Sequence, residues 1–130
     1  MEQSWTWFWF SFEGRISRST YWMRWVFPLV VLYPLVVLSD MVTGLYVTAG
    51  ELHPDLERMN RGWGLQTVLL DLLLIYPMFA VSAKRLHDRN RTGWVMLAAF
   101  VPFLNLWLFV ELALLTGNRG RNRYGAEPQS

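Results

Sequence analysis

The chain has 130 residues, of which 53% are hydrophobic and 16% aromatic, with a formal net charge of +2. Charged residues make up 17%, against roughly 25% in a typical soluble domain, which excludes a disordered chain. The absence of cysteine excludes disulfide frameworks, thiolate metal sites and cysteine nucleophiles, and so small an excess of positive charge gives no reason to expect nucleic acid as a partner.

The first stretch, residues 1–20, opens on WTWFWFSF, where Trp5, Trp7 and Trp9 alternate with Phe8, Phe10 and Phe12. Tryptophan favours the boundary between lipid tails and water, so this reads as a short interfacial segment. An apolar block follows in which no residue from Trp25 to Ser39 is charged, bracketed by Arg24 and Asp40. It predicts a membrane helix over 21–42. A cleaved signal peptide would need a basic leader and a small-residue site directly after the apolar run. Here the leader is aromatic with Glu2 as its charge, and Val47-Thr48-Ala49 lies too far along, so a retained anchor is expected.

The second block, Gly62 to Ala83, carries one charge, Asp71, and predicts a helix over 63–83. The third, Thr92 to Gly117, carries one charge, Glu111, and occupies 93–116. None of the three alternates as a strand would or shows a continuous polar stripe. About 20 apolar residues cross a bilayer. A chain this short cannot bury three such helices around one small core. The fold expected is therefore all-α, a single-domain multi-pass transmembrane bundle with a polar basic tail at 117–130. Pro28, Pro34, Pro77 and Pro102 fall inside the blocks, and Pro102 is the most disruptive of them.

Basic residues bear on how the third block runs. A single crossing leaves seven Lys and Arg on one side and five on the other. A re-entrant hairpin, bent near Val101–Asn105 where Pro102 and Asn105 interrupt the apolar run, gathers ten on one side: Arg15, Arg18, Arg24, Lys84, Arg85, Arg89, Arg91, Arg119, Arg121 and Arg123. Arg58 and Arg61 remain on the other. Both routes stay open on this count, and either places the N-terminus in the cytoplasm.

Polar chemistry concentrates in three stretches: FEGRISRSTYW (Phe12 to Trp22), KRLHDRNRTGW (Lys84 to Trp94) and GNRGRNRYGAEP (Gly117 to Pro128). In the first, Ser17 or Ser19 is placed to cap the opening helix. Together they resemble the DUF805 family of small bacterial inner-membrane proteins. The resemblance rests on Gly14, Arg15, Ser17, Arg18, Tyr21 and Trp22; on Lys84 to Arg89 with Thr92 to Trp94; and on Gly117, Gly120, Asn122, Tyr124, Gly125 and Pro128. Asn90 stands where the family commonly has glycine, and Glu127-Pro128 where it often has Asp-Pro. The resemblance implies a multi-pass helical protein of the bacterial inner membrane, and neither an established activity nor a cofactor.

The candidate functional residues follow from charge and place. Arg15, Arg18, Lys84, Arg85, His87, Asp88, Arg89, Arg119, Arg121 and Arg123 are candidate contacts for anionic lipid headgroups or a partner protein. The competing reading pairs the arginines with Glu13, Asp88 and Glu127 in a cap that pins helix ends. Arg24, Asp71 and Glu111 form a candidate intramembrane polar site, because charge in an apolar span is costly. A hairpin would pair Glu111 with Arg24; a straight crossing would set Glu111 near Asp71 and Asp40. His87 and Asp88 are adjacent, about 100° apart on a helix, which suits a shared metal poorly and favours helix capping and headgroup binding over an enzyme site. No catalytic, metal or cofactor site is expected. Function by association, with lipids, a second copy or another membrane protein, is the leading expectation. A small oligomeric channel or transporter using Asp71 and Glu111 is the alternative.

Overall fold

The structure, a computed structural model, describes residues 4–44, 46–47 and 63–128. His53, Arg58 and Arg61 lie outside the described residues. Among the described residues four helices carry the fold: α1 (Trp5–Phe10), α2 (Arg18–Thr43), α3 (Leu65–Asp88) and α4 (Leu104–Leu114). A 3₁₀ helix, Gly93–Phe100, precedes α4, and a two-residue antiparallel ladder pairs β1 (Tyr46–Val47) with β2 (Trp63–Gly64). The expected all-α class holds for the described residues apart from that ladder. The chain divides into two compact units, Met1–Pro28 with Ile75–Ser130, and Leu29–Leu74.

Helix α2 starts at Ser17, whose hydroxyl accepts from Thr20 N at 3.2 Å, so of the two candidate serines Ser17 is the cap. A π-helical turn at Trp22–Val26 widens the helix just ahead of Pro28. Proline at 28 cannot donate back along the helix, and a widened turn upstream absorbs the mismatch. The helices continue through Pro34 and Pro77 as well. With 26 and 24 residues, α2 and α3 are each long and apolar enough to cross a membrane.

In the Leu29–Leu74 unit, Asp40 is buried although it stands at the end of an apolar run. Its Oδ1 accepts from Gln66 N and its Oδ2 from Thr67 N, both at 2.9 Å, and Oδ2 also accepts from the Thr67 hydroxyl at 2.7 Å. A helix opens with unpaired N–H groups and a partial positive charge. Asp40 supplies both a cap and a counter-charge to α3 from the end of α2. Gly64 is required beside it, since a Cβ there would run into the Asp40 carboxylate. Asp71 accepts a hydrogen bond from the Tyr33 hydroxyl in the same unit.

Helix α3 runs five residues past the expected boundary, to Asp88, so Lys84–Asp88 is helix and not loop. Nothing in that stretch breaks a helix, and the chain turns only at Asn90, at φ 58°. Arg91 N donates to Leu86 O and Asn90 N to His87 O, both at 2.9 Å, the Schellman closure of a helix end. That closure needs a left-handed residue, a conformation that asparagine tolerates.

The third apolar block is not one helix. The 3₁₀ segment ends at Phe100, Val101–Phe103 forms a turn with Phe103 at φ 67°, and α4 packs back against the 3₁₀ helix. The fold-back falls at Pro102, within the expected Val101–Asn105 window. A single straight helix over 93–116 is thereby excluded. The last turn of α4, Val110–Leu114, is also π-helical.

Candidate functional site

The three basic motifs converge on the C-terminal end of α3, within one unit. Asp88 is buried there between two arginines. Arg15 donates to its Oδ1 from Nε at 3.1 Å and from Nη2 at 2.9 Å, and Arg85 donates to its Oδ2 at 2.5 Å. Arg15 continues to the backbone of the tail, reaching Gly120 O at 2.7 Å, Asn118 O at 2.6 Å and Gly125 O at 3.2 Å. Asn118 N in turn donates to Asp88 O at 2.8 Å. Gly117 passes directly over the Asp88 carboxylate, where a Cβ would collide with it. Two guanidiniums around one carboxylate cost heavily in desolvation unless every donor finds an acceptor. Backbone carbonyls supply the remainder, and among the described residues no buried side-chain nitrogen or oxygen lacks a partner.

A second cluster closes the C-terminal end of α4. Leu112 O accepts from Arg85 Nε at 2.9 Å, Ala113 O from the Trp22 indole at 2.8 Å, and Leu114 O from Arg18 at 2.9 Å. Leu115 O accepts from Arg85, and Thr116 O from Arg89 at 2.8 Å. Five consecutive carbonyls at and just beyond the helix end are each capped by a side chain from α2, α3 or the residue that follows α3. The negative end of the helix is where cationic donors gain most.

Lys84 plays the corresponding part for α1. It is fully buried, and its ammonium donates to Trp7 O at 3.0 Å, Phe8 O at 2.8 Å and Ser11 O, with the Trp7 ring face 4.7 Å away. The aromatic opening is therefore more than an interfacial segment: α1 seats Phe8 in the core and folds over the Lys84 ammonium. Gly14, at φ 92°, lies against Trp7, and a Cβ there would come within 2.7 Å of the indole.

The sequence-predicted residues thus separate. Arg15, Lys84, Arg85 and Asp88 are buried and hydrogen-bonded inside the protein, where they join the motifs. Arg18, Arg119, Arg121 and Arg123 are exposed, and Arg89 is partly so. Arg123 donates to Asn90 O at 3.0 Å with its guanidinium over the Tyr124 ring. His87 is half-buried, with Nδ1 3.2 Å from Gly14 O and its ring stacked on Tyr124 at 3.8 Å.

The expected Glu111–Arg24 pair is not formed. Glu111 is buried and paired with Arg89, and with Arg91 at 3.2 Å, while Arg24 is exposed with its guanidinium 5.3 Å from the Trp5 ring. The fold-back carries Glu111 to the two arginines just after α3, Arg89 and Arg91. Of the carboxylates expected to pair with arginine, Asp88 does; Glu127 instead accepts from Gly120 N at 2.6 Å, and Glu13 makes no ion pair among the described residues. Sequence reasoning missed Asp40 and the Trp22 indole as caps. For Asp40 the available signal was a carboxylate ending a helix with a small residue, Gly64, ahead of the next one.

Two recesses flank these clusters. One, about 580 Å³ with a mixed polar and apolar lining, is bordered by Ser17, Arg18, Asp88, Asn118, Arg119 and Glu127. The other, about 510 Å³ and mainly apolar, lies between α3 and the 3₁₀ helix.

A family described as a protein of unknown function, DUF805, matches residues 9–126. The chain is 29% identical to the inner membrane protein YhaH of Escherichia coli (strain K12) over 118 residues, 91% of this chain and 87% of that protein. It is 31% identical to the inner membrane protein YhaI of the same strain over 121 residues, 91% and 86% of the two chains. It is 30% identical to the uncharacterized protein YiiR of that strain, covering 92% and 87%. No solved structure matches. The chain belongs to the DUF805 family.

Proposed function

We propose that this DUF805 protein is a multi-pass protein of the bacterial inner membrane that works by association, with anionic lipids or with a membrane-protein partner, and not by catalysis. Helices α2 and α3 are its two full crossings. The 3₁₀ helix and α4 form a half-depth hairpin that enters and leaves on the cytoplasmic side, where both termini also lie. The observation that carries the reading is the apolar surface of the long helices. Val30, Leu35 and Leu38 on α2 and Leu69, Leu72 and Leu73 on α3 are largely exposed, Leu73 at 73%. Water-facing surfaces rarely present so much contiguous apolar area. The relatives named as inner membrane proteins support the same location.

Association falls to the exposed basic residues. Arg18 and Arg119 border the mixed recess, and Arg121 and Arg123 stand exposed on the tail. A basic residue at an anionic surface contributes about 1 kcal/mol. The channel alternative has less support, because Glu111 is already neutralised by two arginines and Asp71 accepts from Tyr33.

The test is lipid enrichment in nanodiscs assembled from equal parts phosphatidylglycerol and phosphatidylcholine. The native protein is expected to retain phosphatidylglycerol in excess of the bulk ratio. Replacing Arg119, Arg121 and Arg123 together by Gln is expected to return the retained lipid to the bulk ratio. Enrichment that survives the triple substitution would remove these arginines from the role.

A further inference from the structure

The apolar cavity has one polar end, and the chemistry of that end is specified. Ile75, Phe79, Ala83 and His87 follow one another at steps of four along α3, a row about 18 Å long at ~1.5 Å per residue. Trp94 and Leu97 of the 3₁₀ helix form the opposite wall. Gly93 lets that wall close on α3: a Cβ there would sit 3.2 Å from the Ala83 Cβ and 3.8 Å from His87 Nε2. Nε2 therefore faces the narrow end of the cavity. Phe12, Tyr76 and Tyr124 complete an aromatic lining that contains no lysine, arginine or carboxylate.

The state of His87 follows from its other nitrogen. Nδ1 meets the Gly14 carbonyl, which can only accept, so Nδ1 carries the hydrogen. In the neutral ring Nε2 is then an acceptor, and among the described residues it has no partner. The Tyr124 stack, with the two rings 6° from parallel, holds that lone pair in place. Thr92, at the same end, offers a hydroxyl of either polarity.

We propose that this cavity binds a neutral amphiphile that donates one hydroxyl hydrogen to His87 Nε2 and lays an apolar body along the Ile75–Phe79–Ala83 row. An anionic headgroup finds no cation in the lining. A ligand without a donor leaves the lone pair of Nε2 unmet in an apolar surround, which costs affinity. A volume of about 510 Å³ falls within the ~300–1,000 Å³ range of small-molecule sites. Trp94, 78% exposed, and Leu97 flank a mouth that opens on apolar surface, so the ligand arrives from the hydrocarbon phase. Only that route rests on the membrane reading; occupancy of the cavity does not.

Lipid alcohols and quinols share this chemistry, and one titration separates them. The protein is placed in phosphatidylcholine nanodiscs, whose lipid offers no hydroxyl donor, and the ¹³Cε1 signals of its two histidines are followed; a His53→Gln variant assigns that of His87. Farnesol and a prenylated hydroquinone are each titrated beside their methyl ethers. The proposal expects the His87 signal to shift saturably with at least one hydroxyl compound, at about fivefold lower concentration than with its ether. The tighter of the two names the source. Leu97→Trp, which fills the cavity from its rim, is expected to keep the unliganded His87 signal and abolish the shift. Ethers that bind as well as both hydroxyl compounds, or a shift that persists in Leu97→Trp, would overturn it. Loss of phosphatidylglycerol enrichment has no bearing on this result, so the two readings fail separately.

Discussion

Lys84 and Arg85 are neighbours in sequence yet serve opposite ends of the chain. One gathers the carbonyls of α1, the other those of α4, and both are fully buried. Between them and Arg15, the carboxylate of Asp88 is, among the described residues, the one negative side chain that balances two enclosed guanidiniums. Breaking a buried ion pair by removing one partner costs roughly 3–5 kcal/mol. Asp88→Asn is therefore expected to lower the midpoint of thermal unfolding in detergent sharply or to abolish accumulation of folded protein. Arg18→Gln, at an exposed partner with one backbone bond, is expected to cost about 1 kcal/mol or less. Equal losses in the two variants would contradict the distinction between internal and surface arginines. At this scale the sequence was least informative. Its basic motifs read as a membrane-facing surface because the bias of basic residues toward the cytoplasm predicts their side and not their depth. The i,i+3 spacing of Arg85 and Asp88 was visible, but the third member, Arg15, comes from 73 positions earlier and could be joined to them only by the fold.

Helix ends decide most of the local architecture. Ser17 begins α2, Asp40 caps α3 from a neighbouring helix, Asn90 closes α3 and a row of side chains closes α4. Asp40→Ala removes both backbone bonds and the counter-charge at the start of α3, and is expected to lower stability by about 1–2 kcal/mol. Hydrogen exchange would show the loss as faster exchange at Gln66 and Thr67, with little change at Leu86. The left-handed position at 90 gives a paired prediction. Asn90→Gly is expected to be neutral or slightly stabilising, whereas Asn90→Val puts a β-branched side chain at φ 58° and costs about 1–2 kcal/mol. A tolerated valine would mean that the Schellman closure contributes nothing to the end of α3. Elements were more legible than residues. The long apolar runs forecast α2 and α3, and Pro102 marked the fold-back. The five extra residues of α3 were hidden because charge was taken as the end of the helix, when here it is the helix's own buried content.

On the scale of the whole molecule, a small chain is held by polar bonds at the place where its three motifs meet, while its long helices leave apolar surfaces exposed. That division explains why charged residues are few and so clustered. A 130-residue chain has little core to give, and exposed apolar helices add nothing to it in water. The fold-back of the third block, the capping of α4 by arginines of α2 and α3, and the tail bound across Asp88 support the proposal that both termini share a side of the membrane. Because the native chain has no cysteine, single cysteines report topology without a prior substitution. Glu2→Cys, Ala49→Cys and Ser130→Cys, each treated in intact spheroplasts with a membrane-impermeant maleimide, test this directly. The account predicts that Ala49→Cys is labelled, and that Glu2→Cys and Ser130→Cys react only after lysis. Labelling of Ser130→Cys from outside, with Glu2→Cys still protected, would contradict it.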